Sequence, residues 1–236
     1  MDREAFLRRF HARHPGITSR ALARGGSYER LAAHVEPGTR TLDLACGDGH
    51  LVRLLRARGC DAVGVDIAIE EARLAGGACA RAQQLPFAGA AFGAVVSHLA
   101  FMLFDDLDRV VAELARVLVP GGRFVAALGG GPTADGDDAF HQFLALAQPH
   151  LHAHRFGDPR ANTEAGWRTL FAGWSAIRFE RVVLDLTGTF AEVWQFLGAS
   201  YQLDPSIELR AQLAAITGTE RVPCEVVIWI ATATRP

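Results

Sequence analysis

What the 236-residue chain lacks narrows its reading first. It has no run of basic residues and a net charge of −2, which speaks against a nucleic-acid-binding surface. Its four cysteines, Cys46, Cys60, Cys79 and Cys224, show no paired spacing, so they are expected as small, reduced core residues rather than as a disulfide framework or a metal site. The opening MDREAFLRRF is charged and amphipathic, unlike a secretory signal. The uncharged run from Ala82 to Phe104 is interrupted by Gln83, Gln84, Pro86 and His98, and reads as loop plus buried strand, not as a membrane span. There is no internal repeat and no low-complexity tract beyond Gly129-Gly130-Gly131. A cytoplasmic enzyme that binds neither nucleic acid nor membrane is the expectation; a homodimer is left open.

What is present is a chain of which half the residues are hydrophobic, enough for the core of one domain with a small cap. It is organised around Arg40 to Ile67, RTLDLACGDGHLVRLLRARGCDAVGVDI. TLDLA is a short apolar run with one acid, consistent with a buried parallel strand. CGDGH follows, where Gly47 and Gly49 permit a sharp turn and close approach of a ligand to the backbone. From His50 the pattern is helical, with Leu51, Val52, Leu54 and Leu55 on one face and Arg53, Arg56 and Arg58 on the other; Gly59 ends it. CDAVGVD is a second strand ending in Asp66. Such a strand–helix–strand unit places its ligand beyond the carboxyl ends of the strands.

Placement then suggests chemistry. The glycine turn opens a helix whose free N–H groups face the crevice, and Asp66 can accept two hydrogen bonds from a ribose diol. Both features suit a dinucleotide, but the third glycine of the dinucleotide fingerprint is absent, since Gly47-Asp48-Gly49 continues as His50-Leu51-Val52. Asp43, just ahead of the turn, can hold a cationic group and would repel a pyrophosphate.

The stretch Asp43-Leu44-Ala45-Cys46-Gly47-Asp48-Gly49 resembles motif I of the class I S-adenosylmethionine (SAM) methyltransferases, acid-x-Gly-x-Gly-x-Gly, with Ala45 in place of the first glycine. Asp66 matches that family's ribose-binding acid. QQLPF, after a third strand expected over ACARA, resembles the family's adenine loop; the family usually has Asp where Arg81 stands, and arginine cannot accept the adenine amino hydrogen bond. Adenine recognition therefore falls to the Ala82 backbone and the Gln83 side chain. The helix over 105–117 and the VPGG turn that leads to a fifth strand also resemble the family, so the resemblance covers about residues 28–128.

The resemblance implies SAM as cofactor, with Asp43, Ala45, Cys46, Gly47 and Gly49 about its amino acid end, Asp66 and Ile67 at the ribose, Ala82 and Gln83 at the adenine, and Ser97 also in contact. Arg20 is a candidate partner for the SAM carboxylate. The fold expected is α/β: a Rossmann-like, seven-stranded, mostly parallel sheet with an antiparallel edge strand, helices on both faces and a small helical lid or cap. Residues 1–36 read as an N-terminal helical lid, with helices over 3–13 and from Thr18 or Ser19 as cap, broken at Gly25-Gly26. Residues 37–236 read as the methyltransferase domain, with a helical cap inserted at about 187–218.

Methyl transfer from a sulfonium mainly needs positioning and exclusion of water, and a base only where the acceptor carries a proton. His98, at the carboxyl end of the fourth strand (Phe92 to Ser97), is the candidate base, weighed against a histidine satisfied by hydrogen bonds at a strand end. Tyr201, on a cap helix, is a candidate substrate contact. Phe101, Met102 and Phe104 read as core, as do Trp167, Trp174 and Trp194. His150, His152 and His154 have helical spacing but no acid or cysteine beside them, and read as a solvated helix end, so no metal is expected.

The reaction expected is SN2 methyl transfer to a small-molecule acceptor, aromatic or a secondary metabolite, giving S-adenosylhomocysteine, within the broad group that includes ubiquinone and menaquinone methylases. Ser97-His98-Leu99-Ala100 stands where an Asn-Pro-Pro-Tyr-type motif would be, against methylation of DNA bases or protein glutamine. The alternatives are attack on a non-methyl carbon of SAM, such as a cyclisation that releases methylthioadenosine, an NAD-dependent oxidoreductase, and a non-catalytic SAM-binding protein.

Overall fold

A computed structural model describes residues 17–148, 157–201 and 207–236. The expected helix over 3–13, His14, the group His150, His152 and His154, and the Asp204-Pro205 break lie outside the described residues. Two short helices lead in, α1 (Ile17–Arg24) and α2 (Ser27–Ala32), parted at Gly25-Gly26 as expected. Thr18 and Ser19 both lie within α1. Alternating elements follow: β1 (Arg40–Leu44), α3 (His50–Ala57), β2 (Asp61–Asp66), α4 (Ile69–Ala75), β3 (Ala78–Cys79), β4 (Phe92–His98), α5 (Leu107–Val117) and β5 (Leu118–Gly131). The chain continues through α6 (Ala139–Ala147), α7 (Glu164–Leu170), β6 (Ser175–Asp185), α8 (Phe190–Tyr201), α9 (Ile207–Thr217) and β7 (Glu225–Thr234).

The strands form one seven-stranded sheet in the order β3-β2-β1-β4-β5-β7-β6. β1 pairs in parallel with both β2 and β4, so the strand order reverses between β1 and β4, and the crevice opens beyond their carboxyl ends. The antiparallel strand is β7, which lies between β5 and the outermost strand, β6. β3 is shorter than the five residues expected. Its alanine-rich sequence has little β-forming character, and the chain turns at once, with Gln84 N–H donating to Arg81 O at 3.0 Å.

Period-two burial in β5 splits the core into two layers. Phe124, Ala126 and Leu128 face α5 and α7, where Val110, Leu114 and Trp167 are buried with them. Val125 and Ala127 face the other layer, which joins α1, α2, α3, α6, α8 and α9 through residues such as Leu22, Leu31, Val52, Phe143, Trp194 and Leu213. The inserted helices α8 and α9 therefore share their apolar layer with α1 and α2. Phe101 and Trp167 are fully buried and Met102, Phe104 and Trp174 pack beside them, as expected of core residues. Cys46, Cys60 and Cys224 are buried free thiols; Cys79 departs from the expectation, being exposed on the short outer strand β3. Among the described residues, no helix is long and apolar enough to cross a membrane.

Candidate active site

The register of the sheet brings the acid of β1 to the centre. Asp43 pairs with Gly64 of β2 on one side and Val96 of β4 on the other, one residue before β1 ends. It is 1% exposed, and neither carboxylate oxygen has a hydrogen-bond partner among the described residues. Burial pushes its carboxyl well above the ordinary carboxylate range, and the nearby charges of Asp66 and Asp48 push it further. An acid in such a position stays protonated until a cation arrives to share the burial.

The glycine turn above it is built by two side chains. Gly47 N–H donates to Asp66 Oδ2 at 3.0 Å, and Ala68 N–H donates to Asp66 Oδ1 at 2.8 Å. Each oxygen keeps a further lone pair for a diol. Asp48 Oδ1 accepts from His50 N–H at 3.1 Å, at the first turn of α3. The helix N–H groups expected to lie open are thus met in part by carboxylates, so this helix start does not offer the anion site that a pyrophosphate needs.

The two glycines of the turn have different reasons. Gly47 has φ +50°, and a Cβ there would meet nothing within 4 Å, so the turn has free space on that side. Gly49 has φ +78°, and a Cβ would strike Ala75 Cα at 2.7 Å; it permits the packing of α3 on α4 rather than approach of a ligand. Ala45 also lies in the left-handed region at φ +61°, so the missing first glycine leaves strain in place. Cys46 is 7% exposed, its N–H donates to Val65 O at 3.0 Å, and burial, then Asp43, raises its thiol far above the ordinary range, leaving it an inert packing group.

His98 stands where expected, as the last residue of β4, and is in contact with α2. Its Nε2 lies 2.9 Å from Ser27 Oγ, and its ring stacks on that of Tyr28 at 3.8 Å between centroids. Ser27 Oγ also donates to Leu22 O at 3.1 Å. A serine has one proton, so with that proton on Leu22 O the Nε2 must carry the hydrogen and donate to Ser27. This assigns the Nε2–H tautomer and leaves Nδ1 as the acceptor. Burial, with a smaller contribution from the charge of His50, pushes the imidazole down to about 3, although part of the residue reaches solvent. In this arrangement His98 is a hydrogen-bonding group whose imidazole burial holds well below its ordinary value.

The covering segment was not foreseen in this detail. Ser19 Oγ on α1 donates to Asp48 Oδ2 at 3.0 Å. On α2, Ser27 meets His98, and Tyr28 lies between two histidine rings, with the His50 ring 4.5 Å away on the other side. Burial, then the charge of Asp43, raises the Tyr28 phenol above its ordinary value. Glu71 joins the acids from α4, 3% exposed, with its carboxyl pushed up to about 7 by burial and then by Asp66 and Asp48. The Gly-Gly break just before Ser27-Tyr28, and an acid pair opening α4, were the sequence signals available for these residues.

The other expected residues are distributed as follows. Ser97 is fully buried beside His98, with its hydroxyl unpartnered among the described residues. Ile67 is half-buried and directly follows Asp66. Ala82 is buried; the Gln83 side-chain nitrogen donates to Asp105 O at 2.6 Å and its main-chain carbonyl accepts from Arg109 Nε at 3.1 Å, which ties this loop to the start of α5. Arg20 is exposed on α1. Tyr201 is not placed against His98; its ring neighbours are Phe143 at 5.4 Å and Phe140 at 5.9 Å, within the apolar layer of α6 and α8.

Comparison with known proteins agrees with this geometry. Residues 42–126 match the family model of a methyltransferase domain. The chain is 38% identical over 163 residues to malonyl-[acyl-carrier protein] O-methyltransferase of Enterobacter lignolyticus, which covers 65% of this chain and 59% of that protein. It is 41% identical over 99 residues to demethylmenaquinone methyltransferase of Thermus thermophilus, covering 36% of this chain and 45% of that protein. It spans from 24% to 59% of the length of such curated relatives. A solved structure from Anaeromyxobacter dehalogenans, described as that of a type II methyltransferase, superposes with a TM-score of 0.62 at 23% identity, over 88% of this chain and 94% of that one, and shares the fold.

Proposed function

We propose, from the premise that this chain belongs to the class I methyltransferases through its domain at residues 42–126, that it binds SAM and methylates a small-molecule acceptor. The observation that carries this reading is the buried, unpartnered carboxylate of Asp43 beneath a glycine turn braced by Asp66. The cradle suits a cationic nucleoside: Asp43 would take the ammonium end, the Gly47 side of the turn would lie along the chain, Asp66 would take the ribose diol, and Ile67 and the Ala82 backbone would flank the base. Bound there, SAM supplies a sulfonium methyl open to in-line attack. The chain's own part is to position, to exclude water beneath α1 and α2, and to hold the acceptor. We read these two helices, with α8 and α9, as the lid.

Because burial holds the His98 imidazole well below its ordinary value, we read His98 as a group that positions the acceptor rather than as a strong base. The names of two relatives, a malonyl-[acyl-carrier protein] O-methyltransferase and a demethylmenaquinone methyltransferase, support a carboxylate-bearing or aromatic acceptor. The acids at the start of α3 disfavour a nicotinamide dinucleotide. The deciding experiment is incubation with methyl-labelled SAM, alone and with a panel of carboxylate, phenol and amine acceptors, followed by mass spectrometry. Labelled acceptor together with S-adenosylhomocysteine supports the reading. Methylthioadenosine formed without any acceptor favours attack on another carbon of SAM, and SAM binding with no product from any acceptor favours a non-catalytic role.

A further inference from the structure

A second cluster of ionisable groups lies at the start of α6, apart from the residues of the crevice. Asp138 caps that helix: its Oδ1 accepts from Phe140 N–H at 3.1 Å and from His141 N–H at 3.2 Å, and its Oδ2 accepts from Glu225 N–H of β7. The His141 ring turns back between two further partners. Its Nδ1 lies 2.6 Å from Asp138 Oδ1, and its Nε2 lies 2.8 Å from the main-chain oxygen of Thr133. Asp138, which takes three N–H groups, acts here as a carboxylate, and a carboxylate and a carbonyl only accept. Both ring nitrogens must carry a proton for both contacts to hold, so the arrangement is that of an imidazolium. A neutral ring can donate to one partner only and turns a lone pair on the other.

What His141 fastens is the loop after β5. Ala127 of β5 pairs with His98 of β4, and the chain leaves β5 at Gly131 for the loop over 132–137. Thr133 belongs to that loop, and Gly136 gives the ring its seat, since a Cβ there would strike His141 Cε1. We propose that His141 is a pH-operated latch: as imidazolium it holds loop 132–137 onto the start of α6, and loss of its Nε2 proton releases the loop at Thr133. The loop stands beyond the carboxyl end of β5, at the end of the sheet where the crevice opens, so the latch governs how freely that rim moves. The bond to Asp138, with the bond to Thr133 and the charges of Asp138 and Asp137, holds the imidazolium above its ordinary range against burial. Around it, β7 adds Glu225, and the helices packed on α6 carry Glu192 on α8, paired with Arg24 at 2.7 Å, and Glu208 and Arg210 on α9, with Arg210 over the Phe190 ring at 6.0 Å. A raised folded value keeps the latch closed below the unfolded value of about 6.5 and opens it as pH rises through the higher folded one.

The test is hydrogen exchange of the full chain, read by mass spectrometry as protection factors for the segment 132–142 at about pH 6 and about pH 9, in the native protein and in His141→Gln. Glutamine can bond one of the two partners but carries no titratable proton. The expected result is that protection of the native loop falls by about tenfold or more between the two pH values, while His141→Gln is weakly protected at both and does not change. Nitrogen-15 spectra of the native imidazole, which need no variant, are expected to show both ring nitrogens protonated at about pH 6, and a midpoint above about 6.5 that coincides with the loss of loop protection. Native protection equal at the two pH values overturns the inference, as does a midpoint at or below about 6.5 or the same pH dependence in His141→Gln.

Discussion

Asp66 Oδ2 accepts the N–H of Gly47 at 3.0 Å, so the acid at the tip of one strand holds the shape of the turn after its neighbour. On the proposed reading, recognition of the ribose and construction of the turn are joined in one side chain. Asp66→Ala leaves the N–H groups of Gly47 and Ala68 without their acceptor, a cost of about 2 kcal/mol and a fall in melting temperature of ~4–8 °C. SAM affinity is expected to fall by about a hundredfold as well. Thermal unfolding read with calorimetry separates the two effects.

Asp43 makes the opposite prediction for the protein without ligand. Its folded carboxyl stays protonated well above the unfolded value of about 3.9. Between those values the folded state holds a proton that the unfolded state has lost, so stability falls as pH rises. Asp43→Asn removes this slope and raises the melting temperature at neutral pH by about 2 °C or more. Melting curves across pH for the two proteins check it.

Ala45 is expected to be a site of easy stabilisation. Its φ of +61° costs about 1–2 kcal/mol for a residue with a Cβ, offset in part by the greater chain entropy of glycine. Ala45→Gly should raise the melting temperature by ~1–3 °C with SAM affinity kept. A lower melting temperature would mean that the methyl group packs to greater effect than the strain it causes.

His98 should not titrate in the physiological range. Its folded value of about 3 lies below the unfolded value of about 6.5, so the unfolded chain binds the extra proton as pH falls through that window, and this residue's contribution to stability is lost on acidification. Nitrogen-15 spectra of the imidazole are expected to show one Nε2–H tautomer, unchanged from about pH 5 to 8. Ser27→Ala should mix the tautomers. A His98 midpoint near neutrality would restore it as a candidate base.

The sheet was legible because its strands are local apolar runs. TLDLA, CDAVGVD and the stretch from Phe92 to His98 read as strands without knowledge of their neighbours, and Asp43, Asp66 and His98 were placed at strand ends for the same reason. What lay above the crevice was not legible. α2 is six residues long, and nothing in its periodicity says that Ser27 reaches His98 or that Tyr28 enters between two histidines. Those contacts come from docking of α1 and α2 on the apolar layer shared with α8. The bond from Gln83 to Asp105 O, 22 residues away, carries no side-chain signal in the sequence. An aromatic residue at a helix end looks alike in sequence whether it meets substrate or, like Tyr201, packs beside Phe143.

The charge state of Asp43 is the point on which binding turns, and titration of SAM into the native protein and into Asp43→Asn measures it. Saturable one-to-one binding by the native chain, weakened about fiftyfold or more in the variant, is the predicted result. Equal affinity in the two proteins, or no heat from the native one, would contradict the assignment of this crevice to a cationic nucleoside.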